Sequence, residues 1–202
     1  MGITIHYQGR IREVERIPAF IDELEDITNS LDWDNQRIDM IVDVDESIPI
    51  PEEREETGIR LKGIHITPPE CETLSFDFSP SGRLMSFVML AFGSDTYPDN
   101  DFIYMLHTKT QFAGVQTHIA IVSLLRYSEK KYLDLTEVYD EGQYWETNDV
   151  DMLASQLDPN ARMIAAVKGA LERATVPVDL SKDELIQQIT NIIQKGLEDL
   201  EE

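Results

Sequence analysis

The residues best placed to do chemistry fall in two polar, aromatic clusters that ordinary core packing does not require. The first is His107-Thr108-Lys109-Thr110-Gln111-Phe112-Ala113-Gly114, with His118 one helical turn on. The second is Tyr139-Asp140-Glu141-Gly142-Gln143-Tyr144-Trp145-Glu146-Thr147. Together they supply two imidazoles, an ammonium group, several carboxylates and four aromatic rings, enough for a binding pocket or for acid–base work. The candidate binding residues are His107, Lys109, Gln111, His118, Glu141, Tyr144, Trp145 and Glu146. No metal-ligand spacing, nucleophile motif or phosphate loop accompanies them, so no cofactor and no metal is assigned. A structural polar junction competes with the pocket reading, with His118 as a hydrogen-bonded core histidine and Tyr144 and Trp145 as anchors for the C-terminal helices.

Two weaker constellations lie elsewhere. Asp43-Val44-Asp45-Glu46-Ser47 ends an apolar strand and is similar to the first motif of haloacid-dehalogenase-type phosphotransferases, but a proline-rich continuation stands where that family needs a helix. Asp95, Asp99 and Asp101 offer hard oxygen ligands in a loop without EF-hand spacing, and a plain turn accounts for them. Cys71, between Glu70 and Glu72, is a poor nucleophile because neighbouring carboxylates oppose thiolate formation.

The elements that must position the clusters follow from periodicity. Ile3, Ile5 and Tyr7 alternate as in a half-buried strand; Ile17, Phe20, Ile21, Leu24, Ile27 and Leu31 then recur at helical spacing, with Pro18 in the first turn. Residues 38–44 alternate again, and Ile48 to Glu56 reads as an exposed loop. Ile59 and Leu61 lie in one phase and Ile64 and Ile66 in the other, which predicts a bulge at Gly63. Leu74 to Phe78 is expected to form a hairpin with Leu84 to Leu90 across Ser79-Pro80-Ser81-Gly82, and 102–109 one more strand. A helix from Gly114 to about Lys131 and a strand from Leu133 to Val138 run out and back over comparable lengths, which should bring position 140 near the helix start. Gly114 is expected to allow close backbone approach there. Three helices follow, to about Leu157, from Asp158 to Ala174 and from Ser181 to Leu200, the last opened by a Ser181–Glu184 capping box.

The pattern predicts an α+β fold: a mostly antiparallel or mixed sheet with two main helices and a helical C-terminal segment. Residues 1–150 form the α+β domain, and residues 151–202 are expected to pack on it or on a second copy, as a homodimer through the last helix. Thr110 to Gly114, His118, Leu124-Leu125-Arg126-Tyr127 and Asp140 to Thr147 resemble a group of uncharacterised bacterial proteins that share such strings over the middle third of the chain. That resemblance implies no activity.

Of 202 residues, 42% are apolar, enough for a sizeable core. The net charge is −22, with 7 basic against 16 acidic residues over 1–66, 5 against 13 over 67–150 and 5 against 10 over 151–202. Such a field repels phosphate backbones and excludes a basic nucleic-acid groove. A solubility or high-salt adaptation is the alternative source of the acidity. One cysteine, no apolar run long enough to span a bilayer and no secretion or myristoylation pattern in Met1 to His6 point to the cytoplasm. The expected function is an acidic binding or interaction protein for a basic protein partner or a small ligand. The alternative is a small hydrolase or metal-dependent enzyme using His107, His118, Glu141 and Glu146.

Overall fold

The computed structural model describes residues 3–44, 54–55, 58–92, 101–157 and 182–198, together with Leu171 and Arg173. The described elements are β1 (Thr4–Ile11), α1 (Ile17–Ser30), β2 (Asp34–Val42), β3 (Arg54–Glu55), β4 (Gly58–Thr67) and β5 (Leu74–Phe78). They continue with α2 (Phe87–Phe92), α3 (Asp101–Tyr104), β6 (Leu106–Lys109), α4 (Gly114–Lys131), β7 (Leu133–Asp140), α5 (Tyr144–Thr147), α6 (150–157) and α7 (Lys182–Glu198). Every described strand pairing is antiparallel and the fold class is α+β.

Two sheets carry the architecture. One has the order β6-β1-β7; in the other β4 pairs along its length with β2, while β3 and β5 share its opposite edge. The main core lies between α1, α4 and the inner faces of the sheets, centred on Phe20, whose ring meets Phe76, Phe78 and Tyr132 edge-on at 5.3–5.4 Å. Edge-to-face contact sets ring edges against the electron-rich faces, so these pairs add to the burial of the rings themselves.

The sheets are stitched at both ends. At one end Leu84 N–H donates to Gly9 C=O (3.0 Å) and Ile11 N–H to Gly82 C=O (2.8 Å). At the other, Glu72 N–H donates to Lys109 C=O (3.1 Å) and the Thr108 hydroxyl to Glu72 C=O (2.9 Å). Between the stitches no backbone ladder joins β5 to β6.

The helices at 17–30 and 114–131 and the strand from Leu133 match their periodicity. Other expectations need correction. The strand β4 keeps one register from Asp34↔Thr67 to Val42↔Ile59, so Gly63 is not a bulge. Both phases of β4 are buried because the strand is central: Ile64 and Ile66 join the main core, while Ile59 and Leu61 meet Val42, Met85, Leu90 and Ile103. Gly63 answers a close approach of β5. The irregular register falls instead between Gln8 and Gly9, against β7.

The turn at Ser79–Gly82 closes through Gly82 N–H to Ser79 C=O (2.9 Å), but its returning arm extends only through the Phe78↔Leu84 bridge and a bond from Met85 N–H to Asp77 C=O. Ser86 then accepts Met89 N–H on its hydroxyl (3.3 Å) and Leu90 N–H on its carbonyl (3.0 Å), starting α2 where a strand was expected. Residues 102–109 likewise divide into α3 and β6. Within the loop expected over 48–56, Arg54–Glu55 form β3, and the rest of it, residues 93–100, the helix expected over 158–174 apart from Leu171 and Arg173, and the Ser181 cap lie outside the described residues. On α7, Leu185, Ile186 and Ile189 are exposed. No helix among the described residues is long and apolar enough to cross a membrane.

A Cβ at Gly63 would lie 1.8 Å from the Phe76 carbonyl oxygen, and backbone there can yield only by displacing β5. Gly63→Ala should therefore lower stability by about 2–4 kcal/mol. The measurement is the urea midpoint at unchanged slope; a shift equivalent to under about 0.5 kcal/mol would contradict the close approach.

Candidate functional site

The two sequence clusters meet around His118, which is fully buried. Its Nε2 lies 3.1 Å from Asp140 Oδ2 and its Nδ1 2.8 Å from the Thr110 hydroxyl. An ionised carboxylate only accepts, so the Nε2 proton points at Asp140, while the Thr110 hydroxyl bridges His118 Nδ1 and the Ile3 carbonyl (3.3 Å). Asp140 also accepts Gly142 N–H (2.8 Å) and Trp145 N–H (2.9 Å), which starts α5. Burial alone would raise its carboxyl, but the bond and charge from His118 and the two amide donors outweigh this and hold it below its ordinary value. The turn needs Gly142, because a Cβ would lie 2.7 Å from Leu153 Cδ1 and 3.0 Å from His118 Cε1. Gly114 has φ +75° with open space beside it, so conformation and not close approach selects that glycine.

The other candidate residues take separate positions. Glu141 accepts Thr4 N–H through Oε2 at 2.8 Å. Tyr144 packs with Ile3, Leu153 and Leu157, and Trp145 against the main core. Arg126 donates to Trp145 C=O (2.7 Å) and to Asn148 Oδ1 (2.5 Å). Glu146 is exposed and Gln111 half-buried. Along β6, His107 and Lys109 alternate with buried Leu106 and Thr108, so they lie on the outer face of the sheet whose inner side holds Thr110 and His118. The exposed His107 ring sits 5.9 Å from His6, which is 6.1 Å from Tyr139. Burial depresses the His6 imidazole, with Glu141 opposing that shift and His107 adding to it. A single reaction centre using both His107 and His118 would have to reach across the sheet.

A second histidine–aspartate pair lies where no backbone ladder joins β5 to β6. His65 faces Ser75 across the β4–β5 ladder, and its Nε2 is 2.9 Å from both carboxylate oxygens of Asp77. Asp77 is fully buried, while the His65 side chain is 22% exposed. A cleft of about 230 Å³ opens beside the pair, walled by His65, Ser75 and Asp77 on one side, Leu106 and His107 on the other and Phe87 from α2. Of the sequence-derived candidates, His107 alone lines it. The available signal was an acidic residue between Phe76 and Phe78 in a five-residue strand, a polar interruption on a surface that should pack.

Among the described residues no group of three or more histidine, cysteine or acidic side chains is arranged to hold a metal ion. The Cys71 thiol is pushed up to about 11 by burial and the Glu72 charge, away from thiolate chemistry. No protein-family model matches the chain, and no curated protein or solved structure matches it.

The junction carries a pH signature. Because the folded state holds the Asp140 carboxyl below its ordinary value, its contribution is complete above about pH 3.9 and is lost as pH falls from there through the folded value. Asp140→Asn should weaken the protein at pH 7 and flatten the acid limb of stability below about pH 4. His118→Ala should cost about 1–3 kcal/mol. Denaturant titrations at several pH values provide the test, and parallel acid limbs in parent and Asp140→Asn protein would count against the carboxylate.

Proposed function

We propose that this chain is a binding protein for a cationic partner, either a basic protein or a small positively charged ligand, working in the cytoplasm. The observation that carries the reading is how the described cations are used. Arg37 pairs with Asp22 and Glu25, Arg60 with Asp39, and Lys131 with Glu23. Arg12 donates to the carbonyls of Glu129 and Lys130, Arg16 to that of Lys131, and Arg126 to that of Trp145. These positive groups are committed to neighbours, which leaves the surplus behind the −22 net charge without local compensation. A field of this kind raises the encounter rate with cations and repels phosphate polymers. Isolated surface ion pairs contribute little stability, so the pattern is better understood through its effect on partners.

The test is capture of basic proteins from cytosol at low salt, followed by binding kinetics on each retained protein. Association should slow at least about tenfold between about 0.02 and 0.5 M salt, with a smaller change in dissociation. Failure to retain a basic protein or bind a small cation, or retention of an acidic partner insensitive to salt, would overturn the proposal and assign the charge to solubility or high-salt adaptation.

A further inference from the structure

The cleft between β5 and β6 has a chemistry of its own. Burying a carboxylate is costly unless it is paired and hydrogen-bonded, yet among the described residues Asp77 has His65 as its one side-chain partner. In the tautomer whose Nε2–H faces the Asp77 carboxylate, a neutral ring has its lone pair on Nδ1. That nitrogen has no hydrogen-bonded partner among the described residues, and the ring lines the cleft. In that tautomer the cleft offers an acceptor with the Asp77 carboxylate directly behind it.

Its remaining lining reinforces this polarity. Glu72 contributes a second carboxylate, Ser75 and Ser86 contribute hydroxyls, and no lysine or arginine is among the described lining residues. An anion would find no permanent positive charge among them. Phe87, Val88 and Leu106 give an apolar wall suited to methylene groups, and an aromatic ring favours a cation further. At about 230 Å³ the space is enough for a short amine.

We infer that the cleft bounded by His65, Asp77, Glu72 and Phe87 binds the alkylammonium group of a short amine, presented either by a free small molecule or by a lysine side chain of a protein. The inference rests on the proposed preference for cations and names where one is held. The ammonium donates to His65 Nδ1, and its alkyl chain lies along Phe87 and Val88.

Titration with n-butylammonium chloride, followed through the imidazole resonances of the full chain, tests it. Saturable shifts of His65 and His107 are expected, with sodium butyrate at least about tenfold weaker and Asp77→Asn weakening the amine by about tenfold or more. Because Asp77→Asn could unfold the strand, Val88→Trp serves as a second variant. Val88 is 55% exposed, so the larger ring should fill the cleft and abolish binding at an unchanged melting temperature. Nα-acetyl-lysine methylamide separates the sources: binding as tight as butylammonium indicates a protein side chain, and its exclusion while butylammonium binds indicates a free amine. No saturable shift up to about 50 mM, butyrate binding as tightly as the amine, or full binding by folded Val88→Trp protein would overturn the inference. Salt-sensitive capture of a basic protein in the absence of amine binding would remove the cleft assignment and leave the proposed function standing.

Discussion

The contact on which the two-sheet arrangement depends is the Tyr7 phenol against the Ser75 backbone. A sheet edge presents N–H and C=O groups that must be satisfied when buried. The outer edge of β5 is satisfied near its ends by Glu72 with Lys109 and by Asp77 with Met85, but no described strand pairs with its middle. Tyr7 does so from β1: its hydroxyl donates to Ser75 C=O at 2.6 Å and accepts Ser75 N–H at 3.1 Å. Burial pushes the phenol far above its ordinary value, so it remains a neutral donor and acceptor. The same ring lies 5.9 Å from Phe76 and ties the contact into the main core. One side chain thus substitutes for a missing strand, and those groups are paired without a ladder between β5 and β6.

Charge is organised in a matching way. Glu23 on α1 receives Lys131, Tyr127 and Tyr132; these bonds outweigh the opposing effect of burial and hold its carboxyl at about 2. Arg12 and Arg16 reach the last carbonyls of α4, where the helix dipole favours positive charge and where backbone acceptors lack helical partners. The cations therefore knit the fold together while many carboxylates face water. The net charge alone says nothing of this allocation, which requires the three-dimensional contacts.

What was legible in the sequence follows from the range of the interactions. Helices α1 and α4 are visible because their apolar positions repeat every three to four residues, a local property of the chain. The strings around Thr110, Arg126 and Asp140 stood out because they serve one junction: Thr110 and Asp140 hold His118, and Arg126 takes the carbonyl of the residue whose N–H Asp140 accepts. Periodicity failed at Leu84 to Leu90, where apolar residues fit strand and helix alike and Ser86 decides for the helix. It also failed at Gly63, where burial of both faces of a central strand mimics a change of phase. The pair of His65 and Asp77 depends on cross-strand register, which apolar periodicity does not determine when neither strand has one wet face.

The chain carries two histidine–aspartate pairs, and their difference separates structure from capacity to bind. Asp140 collects three donors, His118 and the amides of Gly142 and Trp145, and both His118 nitrogens are engaged in full burial. Both nitrogens and both carboxylate oxygens of that pair are engaged by the fold, in bonds that start α5 or join α4 to β7. Among the described residues Asp77 has a single side-chain donor spanning both its oxygens, and the imidazole beside it is partly exposed at the wall of a cleft. Hydrogen-bonding capacity left open beside solvent can be completed by an incoming group at little cost to the protein, whereas capacity already filled in the core cannot. The same two residue types therefore hold the chain together at one place and leave an acceptor at the other, and the second supports the proposed cation-binding role.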